Sequence, residues 1–215
     1  MCRSRARIGF VVRFVLLVAL LLAGAQLPAA AVDVEPYLLA GYSDGDVSFG
    51  TGIGCVALEG QDCPTSASTD DGNDVWGLGA AVRVAGPWWF DLRFSQQDTE
   101  VRFFDSGREL ALPGVDLEVS QLHAGVLYRF LEGRWSPFLT AFGGYARLDG
   151  AVSTVQQPEI DLERASGGLG GGVMVDLGER FGLRFEVRGT RIDLPSEFDS
   201  DLEQVEGSAG VRFRI

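Results

Sequence analysis

Residues 181–189 read FGLRFEVRG. Phe181, Leu183, Phe185 and Val187 alternate with Gly182, Arg184, Glu186 and Arg188. A β-strand points successive side chains to opposite faces, so this stretch has one greasy face and one charged face. Two architectures accommodate such a strand. A soluble sandwich or barrel turns the greasy face inward. A barrel standing in lipid turns it outward and keeps the Arg-Glu-Arg face inside. The rest of the chain decides between them.

The chain has 215 residues, enough for one domain of ordinary size. Arg3, Arg5, Arg7 and Arg13 form a basic head, Phe14 to Leu22 is almost purely aliphatic, and Ala29, Ala30 and Ala31 offer a small-residue cleavage site. That order predicts a secretory signal peptide over 1–31 and a mature domain over 32–215. The formal charge is −12, and removing four leader arginines makes it −12 − 4 = −16. So acidic a protein is no nucleic-acid binder on electrostatic grounds. After the leader, no apolar run approaches the ~20 residues of a spanning helix. If the mature chain crosses a membrane, it does so with strands.

Alternation like that of 181–189 recurs, and strands are expected near 34–43, 75–84, 88–104, 116–130, 137–149, 165–177, 181–192 and 203–215. The connections alternate too. Long ones cover 44–74, 105–115, 150–164 and 193–202, and short ones cover 85–87, 131–136 and 178–180. In an up-and-down meander this gathers every long loop at one end and every short turn at the other, the asymmetry of outer-membrane barrels. The expected strands reach the ~9–11 residues a tilted spanning strand needs. Trp88, Trp89, Tyr128, Phe130, Trp135, Phe138, Phe181 and Phe213 fall near the short-turn end and Trp76 near the other, as two interfacial aromatic belts would. The fold expected is therefore an all-β, eight-stranded antiparallel up-and-down transmembrane barrel.

Eight strands enclose a space that side chains can fill. The expected lumen groups are Arg83, Asp91, Arg93, His123, Arg129, Arg147, Asp176, Arg184, Glu186, Arg188, Glu206, Arg212 and Arg214. Charges so deep need partners, and the arginine fork serves two acceptors at once. Gly-rich strands leave room for these long side chains. The expectation is a charge-paired plug in place of an open channel.

Three stretches carry a family resemblance. SPFLTAFGGYARLDG (136–150) resembles the "Pro-aromatic, then Gly-x-Gly-Tyr" strand of small outer-membrane barrels. GGLGGGVMVDLGERFGLRFEVRGTRID (167–193) looks like the hairpin that follows it. The terminal SAGVRFRI (208–215) resembles the signal read by the barrel-assembly machinery, with Ser208, Gly210, Phe213 and Ile215 in its places. The usual last residue is aromatic, and Ile215 departs from that. The group is the eight-stranded outer-membrane β-barrels, similar to the OmpA membrane domain, OmpX and OmpW. The resemblance implies outer-membrane lipid and lipopolysaccharide as surroundings, the assembly machinery as a partner during biogenesis, and no cofactor. The function it implies is non-enzymatic: envelope structure, surface interaction or restricted passage of small solutes. It leaves the surface ligand open.

The remaining candidate features are local. Cys55 and Cys63 lie in a Gly/Asp/Thr/Ser-rich stretch, and export to an oxidising compartment predicts a disulfide between them. Their spacing matches no zinc pattern. His123 is the single histidine. A lipid A-modifying enzyme, the further alternative, would resemble the deacylases of this architecture, which pair a His with a nearby Ser; their His-x-Ser arrangement is absent, and Ser120, three residues earlier on the same strand, faces the other way. GGLGGG (167–172) does not satisfy the G-x-G-x-x-G dinucleotide pattern, and no helix follows it. Seven acids and no base lie between Asp44 and Asp74. Solvation explains such a run, and a surface binding module through the disulfide-closed first loop is the alternative.

Overall fold

The computed structural model describes residues 33–48, 66–69, 73–105, 108–109, 115–152, 160–193 and 201–215. The proposed leader, Cys55 and Cys63 lie outside them. Eight long strands dominate: β1 (Val34–Ser48), β2 (Asn73–Ala85), β3 (Trp88–Asp105), β4 (Val115–Arg129), β5 (Trp135–Val152), β6 (Ile160–Asp176), β7 (Phe181–Asp193) and β8 (Asp201–Phe213). Each pairs antiparallel with the next, and β8 closes onto β1, with Tyr37 opposite Arg212 and Ala40 opposite Ala209. The result is a closed all-antiparallel barrel, with no helix among the described residues. Closure leaves no lengthwise edge unpaired, which hydrocarbon demands.

The register fixes the geometry. Following hydrogen-bonded partners around the wall from Tyr37 leads through Gly79, Arg93, His123, Gly144, Ser166 and Ile192 to Leu202. Across the closing seam Tyr37 meets Arg212 instead, a displacement of 212 − 202 = 10 residues. Eight strands with that shear, spaced ~4.8 Å and rising ~3.3 Å per residue, tilt by roughly 41°.

The strands run 13 to 18 residues, longer than the alternation alone suggests. The first connection, expected as loop, contains a strand: Ser66–Thr69 pairs with Asp46–Ser48 of β1 on one side and Val101–Phe104 of β3 on the other, continuing the line of β2. Arg108–Glu109 pairs antiparallel with Phe104–Asp105 at the end of β3. The short connections are tight. At the first, Gly86 takes φ +51°, where a Cβ would be strained, and its carbonyl accepts from Arg83 Nε at 3.0 Å.

Val211 is 54 % exposed while Arg212 beside it is buried, and Arg184 is 0 % exposed between outward-facing Leu183 and Phe185. The greasy face is outside. Trp88, Tyr128, Phe130, Trp135, Phe181 and Phe213 ring the short-turn end, several in edge-to-face pairs: Trp88–Tyr128 at 4.8 Å, Tyr128–Phe130 at 5.1 Å and Phe181–Phe213 at 4.7 Å. Tyr42, Trp76 and Tyr145, also outward, form the other ring. Along the tilted strands the two rings stand roughly 20 Å apart, close to the ~25 Å apolar band of such barrels.

Candidate functional site

The lumen holds the chemistry. At its centre β7 presents Arg184, Glu186 and Arg188 on consecutive inward positions, all buried. Arg184 grips Asp91 of β3 with both terminal nitrogens, at 3.0 and 3.3 Å, and reaches Glu186 at 3.2 Å. Arg188 donates to Asp91 at 3.0 Å and to Glu186 at 2.9 Å. Arg93 bridges Glu186, at 3.4 Å, to Glu206 of β8. Tyr37 donates its hydroxyl to Asp91 at 2.9 Å. Asp91 thus answers two guanidinium groups and Glu186 three, which is what keeps ions tolerable away from bulk water. Aromatic faces carry part of the load: the guanidinium of Arg184 lies 4.3 Å from the Tyr37 ring and that of Arg188 lies 4.6 Å from Phe142.

Space for these side chains comes from β6. Its Gly170 separates Arg188 of β7 from Thr140 of β5, and a Cβ there would sit 2.9 Å from Arg188 Cγ and 3.0 Å from Thr140 Cγ2. Within the GGLGGG run, Gly170 makes room for Arg188, and Gly168 and Gly172 let the neighbouring strand's backbone approach closely.

A second ionic group guards the short-turn end. Glu35 of β1, 1 % exposed, accepts from Arg129, from Arg212 at 2.8 Å and from Arg214 at 3.1 Å. Arg212 and Arg214 also reach Asp176. Arg83 stands at the rim, partly exposed, with Asp33 at 3.3 Å and with Glu132. Glu35, Asp33, Glu132 and Tyr37 escaped the sequence reading. The signal was present for Glu35, because it shares a face with Tyr37 and Leu39 and the expected lumen set had more arginine than acid. The interruption at Pro36 obscured it.

Two apolar discs enclose the central ions. Ala81, Trp89, Leu127, Phe138 and Met174 pack between the ions and the short-turn rim, with Arg129 stacked 3.7 Å over Trp89. Val119, Ala146, Leu148, Ile192 and Leu202 pack on the long-loop side. Between the ions and this second disc lies a neutral polar layer: Ser43 donates to Gln97 at 2.7 Å, Gln204 also donates to Gln97, and Gln121 donates to Gln204 at 2.9 Å.

Arg147 departs from the expected set. Ala146 and Leu148 on either side of it are buried, and Arg147, 49 % exposed at its side chain, points outward and pairs with Asp149 at 3.2 Å. The reason is depth: it lies beyond the loop-end aromatic ring, where the outside of the wall is aqueous. Of the terminal residues, Ser208 faces inward and is buried, Phe213 packs on Phe181, and Ile215 is exposed.

His123 has a serine partner that sequence could not supply. Its Nε2 lies 2.9 Å from Ser166 Oγ on β6. The two are register neighbours of Gly144 on the strand between them, and a Cβ at Gly144 would meet Leu122 O at 1.9 Å. Glycine there leaves open the space across which His123 and Ser166 meet. The imidazole packs 4.8 Å from the Phe142 ring, and both partners are buried. The arrangement fixes a ring inside the wall without offering it to a substrate. No trio of His, Cys, Asp or Glu fit to hold a metal exists among the described residues.

A closed barrel, greasy outside, ionic within and belted by aromatics is built for an outer membrane, and the family model described as "Outer membrane protein beta-barrel domain" matches residues 15–213. The chain belongs to that family. No curated protein matches it in sequence. Among solved structures, it is similar to Neisserial surface protein A, NspA, with 16 % identity, a TM-score of 0.56, and coverage of 84 % of this chain and 97 % of that one. It is also similar to the outer membrane protein OprG from Pseudomonas aeruginosa, with 14 % identity, a TM-score of 0.51, and coverage of 86 % and 96 %. At these identities the likeness speaks for the fold. Membership of the family carries the outer-membrane location with it.

Proposed function

We propose that this barrel is a non-enzymatic, closed-lumen protein of the outer membrane that strengthens the envelope and presents a surface to the outside. The observation behind this reading is the filling of the lumen at successive levels, from the Glu35 rim through the Asp91–Arg184 network to the Ile192 disc. A second feature fits it: β3, β5 and β6 carry the wall roughly 15 Å beyond the loop-end aromatic ring, by the same rise and tilt. A strand that only had to span would stop at the ring.

Within the same reading, residues 1–31 direct export and are removed. Cys55 and Cys63 close the first loop as a disulfide, and Ser208, Gly210, Phe213 and Ile215 address the chain to the assembly machinery. Outer-membrane lipid and lipopolysaccharide surround the band, and the projecting end meets a surface ligand.

Liposome swelling tests the central point. Proteoliposomes carrying the barrel should swell in small sugars no faster than empty ones, and rapid sugar uptake would reject the closed lumen. Surface presentation is tested by deleting 50–65 in a protein that still shifts its gel mobility on boiling. Attachment of expressing cells to matrix should fall, and unchanged attachment would remove that loop from the proposal.

A further inference from the structure

We infer that the outer end of the lumen binds a small monocarboxylate, held by Arg164. The inference rests on the closed lumen proposed above and names a ligand for the end that faces outside. Arg164 of β6 points inward, since Glu163 and Ala165 on either side of it are exposed. It stands opposite Ala146 of the upper apolar disc. Arg93, Arg129, Arg184, Arg188 and Arg212 each meet a carboxylate inside the barrel. Arg164 meets none among the described residues, and its Nε is buried without a hydrogen-bond partner.

The placement of acids sharpens the contrast. Above the loop-end aromatic ring, Asp44, Asp74, Asp98, Glu163, Asp193 and Glu203 are exposed on the outside of the wall. Inward residues beside them include Ser43, Asn73, Gln97, Ile192, Leu202 and Gln204, none of them ionisable. Among the residues whose side chains are described, no acid faces inward at this level. A cation at the height of an apolar layer is costly until an anion joins it. The planar guanidinium fork fits a carboxylate through two parallel hydrogen bonds, which a spherical halide cannot match. Arg164 is only half-buried, so an anion reaches it from the mouth. Beside and below it Val119, Ala146, Leu148, Ile192 and Leu202 are packed, each at most 5 % exposed, so the ligand is small and goes no deeper. The field of the outer acids disfavours multiply charged anions.

The test uses the full-length barrel in lipid nanodiscs at neutral pH and two fluorine probes of one shape, fluoroacetate and the uncharged fluoroacetamide. A fluorine NMR titration should show saturable binding of fluoroacetate, at least about tenfold tighter than that of fluoroacetamide, as loss of a charge-assisted bond implies. Arg164→Gln should abolish this preference while the barrel keeps its heat-modifiable mobility. Arg164→Lys, which keeps the charge and loses the fork, should bind fluoroacetate more weakly than the unaltered barrel. Acetate should displace the probe and chloride at the same concentration should not. Comparison of the two probes on the unaltered barrel decides the matter even where a variant does not assemble. Equal affinity for both probes, fluoroacetate binding unchanged in Arg164→Gln, equal displacement by chloride, or no saturable binding at all would each overturn the inference. Liposome swelling separates this from the closed lumen. Sugar exclusion without fluoroacetate binding rejects the Arg164 site alone, and sugar uptake with that binding intact rejects the closure alone.

Discussion

The same strands are built in opposite senses below and above the loop-end aromatic ring. Along β7, Phe185 and Val187 face out while Arg184, Glu186 and Arg188 are buried; a few residues on, Arg191 and Asp193 face out while Ile192 is buried. Along β8, Val211 and Phe213 face out on either side of inward Arg212 at one end, and outward Glu203 flanks buried Leu202 at the other. Along β5, outward Leu139 gives way to outward Arg147 with Ala146 and Leu148 buried. The parity of the strand never breaks. What changes is the medium, from hydrocarbon to water, and the residue types exchange faces where it changes. The neutral layer of Gln97, Gln121 and Gln204 sits at the crossover, compatible with either side. The lower part is a membrane barrel, and the upper part is a soluble barrel continuing the same wall.

The largest effect should come from breaking the lower interior. Asp91→Ala takes from Arg184 and Arg188 one of their two buried carboxylates and leaves Glu186 to answer both, and removing one member of a buried ion network costs about 3–5 kcal/mol. The urea midpoint of the barrel in vesicles should fall accordingly, and a shift below about 1 kcal/mol would mean that water reaches the network. Next comes the outer face. Leu139→Arg puts a cation near the middle of the apolar band, at a cost of about 2–4 kcal/mol. Glu163→Arg, outward but above the ring, sets an arginine opposite Arg147 in water and should cost no more than about 1 kcal/mol. Equal costs at the two positions would erase the boundary between the zones. A finer contrast lies in trimming one methylene. Ile192→Val opens a gap in the upper disc that neighbours fill only partly, costing about 0.5–1.5 kcal/mol. Leu169→Val on the lipid face should cost less in the same urea titration, because acyl chains flow into the space.

How much of this was legible depended on what alternation can carry. It carries parity, and parity sufficed for β7 and β8, where an unbroken run of charges faces an unbroken run of apolar groups. It does not carry depth. The pattern predicts Arg147 inward because a charge on an apolar strand belongs inside a membrane barrel, and that holds only within the hydrocarbon band. Glu35 is hidden for a local reason, since Pro36 interrupts the pattern that would orient β1. The Ser166 partner of His123 was beyond reach for a topological reason. The two lie two strands apart and meet only because Gly144 stands between them, a coincidence of three registers. The strand at Ser66–Thr69 was hidden because its residues are small and polar, and its ladder is organised by the neighbouring strands it bridges.

Arg147 offers the smallest measurement and the sharpest decision. In the lower interior an arginine that loses its acids, or an acid that loses its arginines, leaves a charge stranded in a dry layer. Arg147 instead stands in water beside Asp149 at 3.2 Å and opposite Glu163 across the β5–β6 ladder. An exposed pair of this kind contributes only about 0.2–1 kcal/mol, and less as salt screens it. Arg147→Leu should therefore shift the urea midpoint barely, the shift should shrink further in high salt, and heat-modifiable mobility should be retained. A lumenal Arg147 would behave otherwise, since its removal would cost several kcal/mol at any ionic strength by stranding a buried carboxylate. A large, salt-independent loss would move the water boundary above this residue and with it the turnover point of the whole wall.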